Sequence, residues 1–221
     1  MKTLSYLWKV IKSPHKGFAE LFQNGRVRYA AWFVLSYGIL NGLGFVISAR
    51  DYPPPAATLD MWIKTWGEFT MTPFLKIPME NYRLFLAAIM IPLTLAIWML
   101  MAGTGKLLSL LFKGKAAYEQ YLTIVGFGMF TFLWIAAILD TIYSGYLRQY
   151  AIPALNMEYG PAAKAFFQWF PPLEYTLLYG LGGIFNGIGT QVAEHWQPWK
   201  SVLIGMLTFV WPMVLIMALL R

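Results

Sequence analysis

Gly103-Thr104-Gly105-Lys106 sets a lysine behind two glycines, a combination that can hold nucleotide phosphates on backbone amides. The full phosphate loop also needs a glycine five positions before Gly105 and a hydroxyl residue after Lys106. Leu100 and Leu107 stand there instead, and an apolar run precedes the motif where a strand is required. Gly180, Gly182, Gly183, Gly187 and Gly189 similarly suggest a dinucleotide loop, but they too lie in an apolar run. Close helix packing accounts for them better, because Gly183 and Gly187 are four apart and allow another backbone to approach. Glu194-His195 has no second histidine at helical zinc spacing, and the other histidine, His15, lies far away in the chain. No cofactor or metal is expected. The absence of cysteine excludes disulfide and thiolate chemistry.

The polar groups that remain sit inside or beside apolar segments, where they are costly and face a bundle interior or water. Asn41 and Asn186 fall well within such segments and are expected to bond helix to helix. Asp140 lies near an outer boundary, with Arg148 in reach, as Lys164 is of Glu174. Asn41, Asp140 and Asn186 are therefore the candidate pathway residues, should a route through the protein exist.

The elements that carry these residues are apolar helices. The 221 residues are 58% hydrophobic, 18% aromatic and only 12% charged, against about 25% charged in soluble domains. This composition points to an all-α, polytopic membrane bundle. A bilayer core of about 30 Å needs roughly 20 apolar residues of helix, and five runs of suitable length are expected to span, at about 29–49, 84–111, 121–143, 175–192 and 201–220. Pro92 can kink the second, and Lys106 can extend from it towards headgroups, while Gly103 and Gly105 loosen its end.

Lysine and arginine placement orients the bundle. Residues 1–28, the turn around 105–120 and the turn 193–200 hold ten basic residues against three acidic ones, a net +7. The opposite side holds seven against seven. The N-terminus is therefore expected in the cytoplasm and the C-terminus outside. The net charge reads as topology and attraction to anionic headgroups, not as nucleic-acid binding. Lys9, Lys12, Lys16, Lys113 and Lys115 are the expected headgroup or partner contacts.

Residues 1–28 form a separate cytoplasmic segment ahead of the membrane domain 29–221. They lack a signal peptide's apolar core and cleavage site. Leu4, Leu7, Trp8 and Ile11 recur at helical spacing among Lys2, Lys9 and Lys12, as in an amphipathic surface helix. Ser13-Pro14 reads as a cap and first helical residue, and Phe18, Leu21 and Phe22 follow as a stripe until Asn24-Gly25. Such helices can anchor the first span or offer a docking surface. On the other side, Asp60–Met71 and Pro161–Phe170 read as interfacial helices, with Tyr52-Pro53-Pro54-Pro55 a stiff spacer before the first.

The order of these features resembles the Yip1 domain family. The likeness rests on the basic N-terminal segment with Trp8 and Ser13-Pro14-His15-Lys16-Gly17-Phe18. It continues with the turn Lys113-Gly114-Lys115-Ala116-Ala117-Tyr118-Glu119-Gln120 and the following Tyr121-Leu122-Thr123-Ile124-Val125-Gly126-Phe127-Gly128. Thr131 stands where family members often have proline, and the Asp-Leu-Tyr-Gly-Pro stretch of the vesicle-trafficking branch is missing. The resemblance implies a prokaryotic-type member in the cytoplasmic membrane, without the Rab binding of that branch. Two functions are open: a non-enzymatic scaffold or accessory subunit, alone, as a homo-oligomer or with other membrane subunits, and a small transporter, channel or lipid-handling protein using the Gly-rich fourth span.

Overall fold

The computed structural model describes residues 2–24, 27–51, 82–146 and 161–219. Every regular element among them is an α-helix: α1 Lys2–Lys12, α2 Pro14–Asn24, α3 Val27–Asp51, α4 Tyr82–Leu111, α5 Tyr118–Phe127, α6 Met129–Tyr146, α7 Pro161–Glu194 and α8 Pro198–Leu219. Within these residues, Ala87–Leu111 and Tyr118–Leu139 are long and apolar enough to cross a membrane, and Pro198–Val210 is a shorter apolar stretch. The expected interfacial helix at Asp60–Met71 and its proline spacer lie outside the described residues.

Among the described residues both the interior and much of the outer surface are apolar. The buried polar side chains among the described residues are hydroxyls and one amide, including Ser109, Thr123, Asn186, Thr190 and Thr208, while leucine and isoleucine crowd the exposed faces of α3, α4 and α8. Apolar surface facing outward costs nothing in lipid, and interior polar groups must find partners there.

Two expected boundaries change. The third apolar run is not one helix but two, because Gly128 interrupts it with a ψ of −77° and the Met129 amide leaves the ladder for the Asn186 side chain. The fourth span and the interfacial helix at Pro161–Phe170 are instead one helix of 34 residues, α7, running through Pro171 and Pro172. Each proline removes an amide donor and crowds the carbonyl four residues back, yet the helix runs on through the pair.

α7 packs chiefly on α8 and α3 chiefly on α4, with α5 in the middle touching α3, α4 and α7. The N-terminal pair joins this body. Val10, Phe18 and Leu21 are buried in the same cluster as Val34, Ile124 and Phe127, so segment 1–28 shares one core with the helices after it. α1 crosses α2 at Gly17, where an added Cβ would lie 2.7 Å from the Val10 Cα. His15 Nε2 meets Gln191 Oε1 at 3.1 Å, fastening α2 to the end of α7.

Candidate functional site

α7 brings two polar groups to two places where another backbone departs from the helix. At Gly128 the chain turns aside, and a Cβ there would overlap the Asn186 side chain. Asn186 Oδ1 accepts the Met129 N–H at 3.1 Å, and its Nδ2 donates to Thr208 Oγ1 at 3.2 Å. The residue is fully buried, so one amide joins α7 to α6 and α8 with both of its ends in use. Asn41 differs from its expected role. Its Nδ2 donates to the Tyr37 carbonyl one turn back on its own helix, at 2.9 Å, because that carbonyl is the nearest acceptor to a side chain at i+4. Asp140 lies on α6 and Lys164 and Glu174 lie on α7, but Arg148 and the side chains of these three fall outside what is described, and with them both proposed pairings.

The second place is the end of the bundle where α2, the α4–α5 turn and the α7–α8 turn meet. α4 ends in a Schellman arrangement, with Gly114 N–H on the Ser109 carbonyl at 2.9 Å and Lys113 N–H on the Leu110 carbonyl at 3.0 Å. Lys113 holds the left-handed position, at φ 59°. Gly114 cannot be exchanged with it, since a Cβ there would overlap Ser109 Oγ and lie 2.6 Å from Glu194 Oε1. α7 closes similarly, with His195 at φ 55° turning the chain straight after Glu194.

Glu194 fills the space these turns leave. Its Oε1 accepts the Ser109 hydroxyl at 2.5 Å and the Tyr121 hydroxyl at 3.1 Å, and its Oε2 accepts the amides of Lys115 at 2.7 Å and Ala116 at 3.1 Å. The amides lie just before the start of α5, whose N-terminal dipole favours a negative charge. Burial by itself would raise the Glu194 carboxyl, but the donors Ser109, Ala116, Lys115 and Tyr121 outweigh it and hold the group below its ordinary value of 4.5. Opposite, Lys106 Nζ donates to the Ala116 carbonyl at 2.7 Å. Ala116 is thus gripped on its N–H by an anion and on its C=O by a cation. Phe112 and Trp196, from the two turns that meet here, pack edge to face with ring centroids 6.1 Å apart.

These contacts correct the reading of Gly103–Lys106. Lys106 is held by the turn and does not extend to headgroups, because the Ala116 carbonyl lies within its reach. Gly105 does not loosen the helix, which continues to Leu111. It admits neighbours instead, since a Cβ there would lie 2.7 Å from both Tyr121 Cδ1 and Thr208 Cγ2.

Gly183 and Gly187 face α8. A Cβ on Gly187 would come 2.6 Å from the Val202 Cα, one on Gly183 would overlap Met206 Sδ, and one on Gly205 of α8 would overlap Gly187 N and Gly183 O. Among the expected headgroup lysines, Lys9 is paired with Glu20 and lies over the Tyr6 ring, whereas Lys12, Lys16, Lys113 and Lys115 have exposed side chains.

Glu194 escaped the sequence reading, which weighed it only as a zinc ligand and a unit of charge. Its partners are a serine on another helix, a tyrosine and two backbone amides, none of which has a fixed spacing to it. Comparison of the chain with known protein families, curated proteins and solved structures finds no match.

Proposed function

We propose that the chain is a non-enzymatic integral membrane protein, a five-span helical scaffold or accessory subunit of a larger assembly. Its basic end lies in the cytoplasm and its C-terminus outside, in a prokaryotic cytoplasmic membrane. The observation that carries this reading is the closed polar interior at Asn186: both ends of a fully buried amide are spent on Met129 and Thr208. A polar group committed to backbone and neighbour in this way builds a fixed helix junction. The latch at Glu194 has the same character, since it joins three helices and two turns. The short motifs shared with the Yip1 family are in keeping with the reading.

A lipid-handling role has one observation in its favour. An open apolar groove of about 380 Å³ runs between α3 and α4, lined by Ile39, Gly42, Leu43, Val46, Leu84, Ala87, Ala88 and Ile91. Purification in mild detergent, with identification of co-purifying chains and lipids, separates the two. A stoichiometric membrane-protein partner or a stable homo-oligomer supports the scaffold. A monomer that carries one tightly held lipid, or liposome flux that Asn186→Leu abolishes, refutes it.

A further inference from the structure

The N-terminal helix has two apolar faces, and the bundle uses only one of them. Val10 is buried, with Tyr6 and Leu7 packed beside it, and Tyr6 meets Tyr29 of α3 at a ring separation of 5.6 Å. The other face carries Leu4, Trp8 and Ile11, at positions four and seven apart, with 66%, 65% and 40% of their surfaces exposed. Its surroundings are basic. α1 and α2 hold four lysines and one glutamate, and that glutamate, Glu20, is engaged by Lys9, which leaves Lys2, Lys12 and Lys16 with exposed side chains. The apolar-and-basic pattern continues around this end of the bundle. Phe112 is exposed beside Lys113, Tyr118 lies three residues after Lys115, and Trp199 is exposed with the Lys200 ammonium 5.6 Å from its ring.

We infer that Leu4, Trp8 and Ile11 enter the headgroup region of an anionic lipid leaflet, with α1 held there as a rigid part of the bundle. A bilayer surface fits better than a protein partner for two reasons. Tryptophan and lysine together, on a helix lying across a bundle end, suit the headgroup boundary, where the ring sits among the acyl-chain ends and the ammonium meets phosphate. The pattern also recurs on three separate elements at that end, as a leaflet surrounding the whole body requires and a single docked chain does not. The tight crossing of Gly17 on Val10 makes the helix a fixed wedge and not a tethered float. The inference rests on the membrane reading above and names the partner of its basic end.

The test uses the absence of cysteine in the chain. Leu4→Cys, Leu100→Cys and Gln23→Cys are each labelled with a polarity-sensitive fluorophore in the full-length protein in lipid nanodiscs. Quenching by lipid-borne doxyl groups and by aqueous iodide is then compared in neutral discs and in discs containing phosphatidylglycerol. Leu100 is exposed on α4 within the stretch suited to spanning, and Gln23 is exposed on α2. The expected result in anionic discs is doxyl quenching at positions 4 and 100 with iodide quenching at 23. Changing Lys2, Lys12 and Lys16 to Gln should lower the preference of position 4 for doxyl-labelled phosphatidylglycerol over doxyl-labelled phosphatidylcholine in mixed discs by about fivefold per charge removed. Iodide quenching at position 4 overturns the inference, as does protection from both quenchers, which would mean cover by protein. Equal quenching of position 4 by doxyl-labelled phosphatidylglycerol and doxyl-labelled phosphatidylcholine in mixed discs also overturns it. If position 100 too is untouched by doxyl lipid, the membrane reading itself fails, whereas its failure at position 4 alone leaves that reading standing.

Discussion

Replacing Glu194 by alanine removes one acceptor group that serves four donors on three parts of the chain. Ser109 and Tyr121 are fully buried, so their hydroxyls find no water in its place. Lys115 is exposed and its amide can be resolvated, so it adds little. The two buried hydroxyls alone, at about 1–3 kcal/mol each, put the loss at about 2–6 kcal/mol, and the buried Ala116 amide adds to it. Glu194→Gln keeps an oxygen for the Ser109 and Tyr121 hydroxyls but sets an Nε2 donor against the Lys115 and Ala116 amides, so two accepted bonds are lost and its cost is about 1–3 kcal/mol. Acid provides a second handle. The Glu194 carboxyl is held below 4.5 in the folded protein, so its stabilisation is fully present above that value and is lost as pH falls through the depressed one. The native protein should therefore lose stability over that interval more steeply than Glu194→Gln. Denaturant titration in detergent micelles, followed by helical circular dichroism at several pH values, reads both effects. An alanine variant within about 0.5 kcal/mol of native, the scale of an inert surface change, refutes the latch. So does a glutamine variant with the native acid slope.

The glycines separate into required and replaceable positions. Gly205→Ala meets backbone atoms of α7 that cannot turn aside, and should cost about 1–3 kcal/mol. Gly180→Ala meets nothing within 4 Å and should stabilise by about 0.5–1 kcal/mol, both read by the same titration. Asn186→Leu strands the Met129 amide at the Gly128 break and should cost about 1–3 kcal/mol. Its hydrogen exchange should quicken at Met129 before the rest of α6; unchanged exchange there counts against the junction. Lys113→Gly relieves a left-handed residue with a side chain and should raise stability by about 1 kcal/mol, whereas Gly114→Ala, one residue later, should lower it.

The helices were legible because apolar runs of about 20 residues and their proline and glycine stops are local signals. The four-residue spacing of Gly183 and Gly187 likewise pointed to close packing, and the structure sets both glycines against α8. The break at Gly128 was not legible, since Tyr121–Tyr143 is apolar throughout and the acceptor that makes the break tolerable lies 57 residues away. A glycine pair in one run and an asparagine in another were the signals available, and only the fold joins them. Asn41 and Asn186 carry the same side chain in similar runs, yet one bonds its own helix and the other two neighbours. Burial decides between them, and burial is set by packing. The stripe on α1 was found, but its spacing alone did not tell which apolar residues turn inward. Val10 was absent from it and became the buried one.

α7 explains why the most glycine-rich run, the weakest candidate span by apolarity, occupies the most crowded place. Its residues at 182, 186 and 189 face α5 and α6: a Cβ on Gly182 would overlap Met129 Sδ, and one on Gly189 would lie 3.0 Å from Ile124 side-chain atoms. Its residues at 183 and 187 face α8. A helix approached by backbone on one side and by the side chains of Met129 and Ile124 on the other has little room for side chains of its own, and glycine is what remains. Close approach also brings Asn186 within reach of a broken backbone and Glu194 within reach of a turn. In lipid an unpaired amide has no solvent to turn to, so an irregular backbone survives there only beside a helix able to come this near. The glycines and the two polar residues of α7 thus solve one problem. Enlarging Gly182 or Gly189 should therefore loosen the Asn186 junction as well as the packing, and the coupling can be measured. In a double-mutant cycle, Gly182→Ala with Asn186→Leu should cost less than the sum of the two single changes. Strict additivity would mean that packing and polar contact are independent.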